Sequence, residues 1–350
     1  MGQVSGSVAR QESELEFFEG TEKRIEADFV GDGDLRTVSR DQWEEVVSLA
    51  ETKILHHKET SGFISFLLSE SSLLVYPGKV ILKTCGRTVP LSSLGKILAI
   101  ARSIGMEPEW LCYSRKNFIA PDEQPHTYRS KDIEFAVCRE ICGVGDAFVL
   151  GPLFGDHWLI YNADFLTPDC SKRGDFTVDI MMYGLPSDVQ QIFYTSEPEG
   201  SPEAAATMTR NSGLGDIASS IGADVDDYCF ETCGYSCNAH AGDAYFMVHV
   251  TPQEECSYAS FETNYGTTFG KLPEQPCGEA LRAMVAKVIE SFRPARFTVT
   301  LFFDLGASNS VGDAPFRAAG DEYKRRNINT YHHESDYIST VANFVRKGAA

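Results

Sequence analysis

Four polar residues, Ser69-Glu70-Ser71-Ser72, interrupt an apolar run that reaches Leu68 and resumes at Leu73. Burying unpaired polar groups costs roughly 1–3 kcal/mol each, so an acid and three hydroxyls placed there need a use. Cys85 lies fourteen positions after Ser71. Between them is Pro77-Gly78, where proline presets a turn and glycine accepts positive φ, so neighbouring strands can bring the two together. His249 stands between Val248 and Val250, and imidazole has the resting pKa nearest neutrality, which suits a general base. Cys85 with His249 would by themselves fit a cysteine hydrolase, a reading that leaves Glu70-Ser71 unexplained. The run Cys229-x3-Cys233-x3-Cys237, followed by His240, invites zinc but lacks a second ligand pair. The alternative is that these thiols are small buried hydrophobes.

The elements that must position these groups can be read coarsely. An ordered segment runs from Phe17 to Phe29, and Arg40-Asp41-Gln42-Trp43 opens a helix through about Ile54. Strands are expected over 63–76 and 79–86, a helix over 91–104 from Leu94, Ile97, Leu98 and Ala101, and a strand at Trp110–Tyr113. A hairpin over 147–153 and 157–163 turns at Gly155-Asp156, and Asp175–Tyr183 is a further strand. The second half repeats the order: strands Ala244–Thr251 and Cys256–Thr263, a helix Gly278–Phe292, then alternating Arg296–Asp304. Ser196–Arg210 reads as a surface loop, residues 1–14 as disordered and the tail after Gly348 as frayed. Two sheet-plus-helix halves stacked face to face follow from this.

Composition narrows the function classes. The 350 residues carry 31 basic and 50 acidic side chains, a formal charge of −19. Nucleic acid and anionic membranes are recognised by basic patches, so neither is an expected partner. No stretch is apolar for the ~20 residues a bilayer span needs, and the polar start MGQVSGSVARQESELE lacks a signal peptide's apolar centre. Met-Gly with Ser5 and Ser7 matches a myristoylation start only loosely. Ten cysteines are too sparse for a disulfide scaffold and fit reduced thiols. The expected location is cytoplasmic.

FFEGTEKRIE (17–26), LSESSLLVYP (68–77), ILKTCG (81–86), CGYS (233–236), HVTP (249–252) and YASFETN (258–264) resemble, in order and spacing, the motifs of eukaryotic-type S-adenosylmethionine decarboxylase proenzymes. YSRKNF (113–118), Pro125-His126 and SGLGDI (212–217) extend the likeness. The resemblance implies an α+β fold, a four-layer α/β-β/α sandwich of two stacked antiparallel sheets with helices outside, as a single domain over 15–345. It implies self-cleavage between Glu70 and Ser71 into 1–70 (beta chain) and 71–350 (alpha chain), with Ser71 becoming a pyruvoyl cofactor. The chemistry is available to the residues. A hydroxyl one residue after a carbonyl can attack it, and the resulting ester can be lost by β-elimination if the fold strains the bond and stabilises the oxyanion. A pyruvoyl ketone condenses with the substrate amine and accepts the electrons released with CO2.

By resemblance His249 is the base of the elimination, Ser236 bonds the ring intermediate, and Cys85 reprotonates the substrate carbon as a thiol. Glu19 and Glu22 occupy acidic positions needed in activity and processing. Phe18 and Phe230 sandwich adenine, Glu70 adds a polar contact, and Gln253 faces the ribose where the family has a glutamate. Arg24, Glu26, Lys83, Arg115, Asp175, Thr177, Asp179 and Glu262 match a diamine or charge site between the sheets. Arg24 stands where animal members have an apolar residue, and its guanidinium supplies charge a diamine would bring, so putrescine stimulation is expected to be weak. No metal is expected; a homodimer of cleaved protomers is open. The rival within the family is a catalytically weak or dead paralogue that regulates an active partner. Retention of Glu70, Ser71, Cys85, Ser236 and His249 argues against it, and Gln253 keeps it alive. Read one at a time, without those motifs, Cys85, His249, Phe18 and Phe230 would be core residues and Glu19 and Glu22 a solvated face.

Overall fold

Strand after strand in this chain is buried on both faces, yet the two faces differ in chemistry. In KVILKT (79–84), Val80 and Leu82 join one apolar cluster, whereas Lys79, Ile81 and Lys83 point to the other side. The two-residue side-chain period of a strand produces this division. The computed structural model describes residues 18–166, 174–266, 278–307, 311–334 and 336–348. The disorder expected over 1–14 and the tail after Gly348 fall outside the described residues.

The first half contributes β1 (Lys23–Gly31), β2 (Ile54–Glu59), β3 (Ile64–Leu68), β4 (Ser71–Val75), β5 (Lys79–Thr84), β6 (Met106–Lys116), β7 (Asp146–Leu150) and β8 (Trp158–Asp164). The second contributes β9 (Phe176–Tyr183), β10 (Asp224–Cys229), β11 (Tyr235–Ala241), β12 (Ala244–Thr251), β13 (Tyr258–Thr263), β14 (Arg296–Asp304), β15 (Tyr323–His332) and β16 (Tyr337–Arg346). The sheets are antiparallel with orders β2-β3-β4-β5-β1-β6-β8-β7 and β10-β11-β12-β13-β9-β14-β16-β15. Subtracting eight from each strand number of the second order gives the first, so the halves share one topology. This is the expected α+β four-layer sandwich.

Helices Arg40–Leu49 and Leu91–Ser103 cover the outer face of the first sheet, packing Trp43, Val46, Leu94 and Ile97 onto Ile25, Ala27 and Leu82. Helix Gly278–Phe292 covers the second, with Val285 and Val288 against Val178, Ile180 and Val299. The inner faces meet through smaller apolar clusters, among them Trp110 stacked on Tyr337 at 4.7 Å. Between those clusters the seam is charged.

Three expectations need correction, and one alternative reading finds no support. Residues 63–76 are not one strand, because Ser69-Glu70 form the tight turn between β3 and β4. The polar insertion is a reversal of the chain and not a defect in a strand. The first helix stops at Leu49, and Ile54–Glu59 instead forms the sheet edge. Ser196–Arg210 is not all loop: Ser201 caps a helix, Pro202–Asn211, that starts with proline at its first position, where no N–H is missed. The zinc reading fails on strand parity. Cys237 faces the helix-covered core and His240 the seam, and no group of three or more metal-binding side chains occurs among the described residues.

Candidate active site

The turn after β3 sets the geometry of the Glu70–Ser71 peptide. Ser71 opens β4 opposite Thr84 with φ of +116°, a conformation that side chains with a Cβ rarely adopt. Such strain costs of order 1–3 kcal/mol and persists only where neighbours enforce it. The neighbours are visible. Ser69 N–H donates to Lys53 O at 2.9 Å, Thr52 Oγ1 lies 3.0 Å from Ser69 Oγ, and Ser69 Oγ donates to the Glu70 carboxylate. The Glu70 carbonyl accepts the Cys85 backbone N–H at 3.2 Å. Ser71 Oγ is buried and has no hydrogen-bond partner among the described residues. A strained peptide, a carbonyl already held by a donor and an unengaged hydroxyl on the next residue are what an attack on that carbonyl requires.

Beside it, β11 and β12 pair Ser236 with His249. Ser236 Oγ lies 2.9 Å from His249 Nδ1, and Ser72 Oγ lies 3.3 Å from Nε2. Ser72 donates in turn to Asn238 Oδ1 at 2.6 Å, so the imidazole is oriented through both nitrogens. Burial, reinforced by the nearby Lys83 cation, pushes His249 down to about 3. The ring is therefore neutral near pH 7. Burial, then the carboxylates of Glu22 and Glu70, pushes the Cys85 thiol well up, so it holds its proton.

A cavity of about 310 Å³ joins these groups: Glu70, Ser71, Cys85, Ser236 and His249 line it together with Phe18, Phe230 and Gln253. Gly86 explains how Phe18 fits, since its φ is +61° and a Cβ there would come within 2.5 Å of Phe18 Cε2. Glu19 and Glu22 lie outside this lining. Glu19 accepts the backbone N–H groups of Ile119 and Ala120 and lines a neighbouring cavity of about 270 Å³ with Phe18 and Glu70. Glu22 accepts from Tyr258 and Ser260, and burial raises its carboxyl above the usual range.

The inter-sheet seam gathers seven of the eight residues assigned to the charge site. Arg24 bonds Glu26 at 2.6 Å, Glu262 at 3.0 Å and Thr177 at 3.5 Å. Lys83 bonds Asp179 at 3.1 Å and Glu262 at 2.9 Å. Asp175 and Glu26 both accept from Lys79, which also lies 3.5 Å from Asp28. Burial alone would raise Glu262, but Arg24 and Lys83 bring it down to about 2; burial raises Asp179 to about 7. Arg115 is the exception. It shares strand parity with Tyr113, faces the helical layer and pairs with Glu134, its guanidinium 4.2 Å from the Phe118 ring.

Residue reasoning missed Lys79, although its spacing of four from Lys83 on one strand places both on one face. It also missed Lys23, a fully buried lysine donating to Gly86 O at 2.7 Å and Gln124 Oε1 at 3.2 Å and pushed down to about 8 by burial. Ser72 and Asn238 were missed as well. Ser72 stood in the quoted motif, but nothing in one strand's letters pairs it with Asn238.

The chain is similar to known proteins of one family. A family model described as adenosylmethionine decarboxylase matches residues 15–345. An S-adenosylmethionine decarboxylase proenzyme of Dictyostelium discoideum is 31% identical, covering 93% of this chain and 85% of its own. One from Xenopus laevis is 34% identical over 83% of this chain and 85% of its own, and one from Oryza sativa subsp. japonica 34% over 89% and 78%. Among solved structures, the Trypanosoma brucei AdoMetDC-delta26 monomer aligns with a TM-score of 0.60 at 26% identity, covering 79% of this chain and 99% of its own. Among the described residues no helix is long and apolar enough to cross a membrane.

Proposed function

The chain belongs to the adenosylmethionine decarboxylase family, and on that premise we propose that it cleaves itself between Glu70 and Ser71 and decarboxylates S-adenosylmethionine to the aminopropyl donor S-adenosylmethioninamine for spermidine and spermine synthesis. The observation that carries the reading is the strained Glu70–Ser71 junction, with its unengaged Ser71 hydroxyl and the Cys85 N–H on the Glu70 carbonyl.

In processing, Ser71 Oγ attacks the Glu70 carbonyl carbon, and the Cys85 N–H stabilises the oxyanion of the five-membered ring. Rupture of the Glu70–Ser71 C–N bond leaves an ester and a free amine on residue 71. Neutral His249, held by Ser236 and Ser72, takes the Ser71 α-proton, and the Glu70 carboxylate leaves with the C–O electron pair. Addition of water and loss of ammonia leave a ketone at residue 71. The residues around Ser71 fit that group, since Ser71 is buried, its Oγ carries no competing bond among the described residues and it lines the cavity.

The ketone supplies an electron sink for loss of CO2 from an α-amino acid. Cys85, kept protonated, donates to the substrate α-carbon afterwards. Phe18 and Phe230 hold the adenine between their faces, and the aromatic and acidic lining favours the sulfonium cation. Arg24 and Lys79 occupy the acidic seam in place of a diamine, so putrescine has little to add.

Intact-mass measurement of freshly purified protein tests this. Two fragments, 1–70 and a pyruvoyl-started 71–350, are expected, with CO2 released from S-adenosylmethionine; Ser71→Ala is expected to remain one silent polypeptide. An uncleaved wild-type chain would refute the proposal.

A further inference from the structure

Phe18 is the first described residue of the N-terminal half, and three contacts fix it. Its backbone N–H donates to Gln253 Oε1 at 3.1 Å. Its backbone carbonyl accepts from Cys256 Sγ at 3.4 Å. Its ring lies on Gly86, so closely that a Cβ there would meet Cε2 at 2.5 Å. The first two contacts come from one turn of the other half, residues 253–256, more than 230 positions away in sequence.

Gln253 is central to that turn. Its side chain is buried, its Oε1 is also 3.6 Å from the Cys256 thiol, and its backbone carbonyl accepts the Cys256 N–H at 3.1 Å. The Phe18 amide N–H can only donate, so this end of the carboxamide is the acceptor oxygen. That oxygen engages the protein's own backbone.

We propose that Gln253 is a positioning residue which, together with Cys256, sets the Phe18 ring at the mouth of the active-site cavity. It governs affinity for the purine through Phe18, a role separate from any contact its carboxamide makes with the ribose. The inference rests on the reading of Phe18 as the adenine-stacking residue. It also makes the contact one between the two chains of the cleaved protein, since Phe18 stays with 1–70 and Gln253 with 71–350.

Two ligands separate the possibilities: adenine, which has no ribose, and 5′-deoxy-5′-methylthioadenosine, which has one. Their affinities are measured by titration calorimetry on the processed protein. Loss of a single hydrogen bond that orders a contact residue corresponds to about a tenfold change. Gln253→Ala is expected to weaken adenine, which has no ribose, about tenfold, and the ribose-bearing ligand by at least that factor. Gln253→Glu keeps an acceptor oxygen for the Phe18 N–H and is expected to stay within about twofold of wild type. In a Phe18→Ala background, adding Gln253→Ala is expected to leave the affinity for adenine unchanged. The proposal is overturned if Gln253→Ala weakens only the ribose-bearing ligand, leaves both affinities unchanged, or multiplies with Phe18→Ala in the affinity for adenine. Should Gln253→Ala not fold, Cys256→Ala removes the donor to the Phe18 carbonyl and is expected to give a smaller loss, equal for both ligands. A Phe18→Ala variant that binds both ligands normally refutes the stacking premise itself, a result distinct from failure of the Gln253 link.

Discussion

Lys79→Met removes a buried ammonium while keeping the length of its carbon chain. In the seam Lys79 answers Glu26, Asp175 and Asp28, and its own ammonium is held in the charged form by them against the cost of burial. Arg24 and Lys83 remain, but both are already engaged with Glu26, Glu262 and Asp179. Removing one partner of a buried pair typically costs about 3–5 kcal/mol, because the other charge is left without compensation. At roughly 2–4 °C per kcal/mol for a large domain, the expected fall in melting temperature is about 6–20 °C. The abandoned carboxylates take up protons more readily, so the loss shrinks as the pH is lowered toward 5. Putrescine supplies an ammonium of the same kind. It is expected to raise the melting temperature of Lys79→Met by several degrees and to leave wild type unmoved. Scanning fluorimetry gives the stability, and CO2 release with and without putrescine gives the functional response. A several-fold stimulation of the wild-type enzyme by putrescine, or a Lys79→Met protein that melts within a degree or two of wild type, refutes the idea that resident cations fill the site.

Three further outcomes follow from single contacts or titrations. Gly86→Ala is expected to raise KM for S-adenosylmethionine at least tenfold, because the new Cβ meets Phe18 Cε2 at 2.5 Å and the residue must hold φ +61°; unchanged kinetics would show that Phe18 has room to move. The rate of self-cleavage is expected to be flat from about pH 5 to 8, since His249 sits at about 3 and is already neutral throughout; an acid limb with its midpoint near 6.5 would mean the imidazole is solvated. His333, far from the cavity, lies between Asn162 at 2.8 Å and Ser339 at 2.6 Å and is pushed down to about 4 by burial. Its folded pKa lies below its unfolded value, so the unfolded chain binds the extra proton between about pH 4 and 6.5. Stability should therefore rise with pH through that window by up to ~1.4 kcal/mol per pH unit, and His333→Gln should flatten that part of the profile; an unaltered slope counts against it.

The sequence was most legible where one face of an element is greasy and the other is not. Leu94, Ile97 and Leu98 announced their helix, and the alternation of Arg296–Asp304 announced β14. The edge strands were harder. β2 (ILHHKE), β10 (DVDDYC) and β15 (YKRRNINTYH) are half in water, so their residues carry charge at positions that a central strand would fill with valine or isoleucine. In the active site the order of the motifs sufficed to bring Glu70, Ser71, Cys85, Ser236 and His249 into one cavity. What no letter could announce was the Cys85 N–H on the Glu70 carbonyl, because every residue but proline has that donor and only the β4–β5 register aims this one. Lys79 escaped for the opposite reason. Its letter is conspicuous, but its partner Asp175 is 96 positions away on the facing sheet.

One physical cause acts on both groups to which the proposed mechanism gives a proton transfer. Burial penalises whichever form of a group is charged. For His249 that form is the acid, so desolvation leaves a free base; for Cys85 it is the anion, so the same dryness leaves a loaded acid. A wet cavity would hold the two states less completely, since around neutrality an imidazole near 6.5 is roughly a quarter protonated and a thiol near 8.5 has begun to ionise. The seam works against this simplification unless its charges are matched. Lys83 lies near both groups, pushing His249 and Cys85 downward, while Glu22 and Glu70 push Cys85 back up. On the proposed mechanism, pairing Lys83 with Asp179 and Glu262 serves the proton transfers as well as the fold. A cation left bare at that position would favour the thiolate over the thiol that the mechanism asks of Cys85.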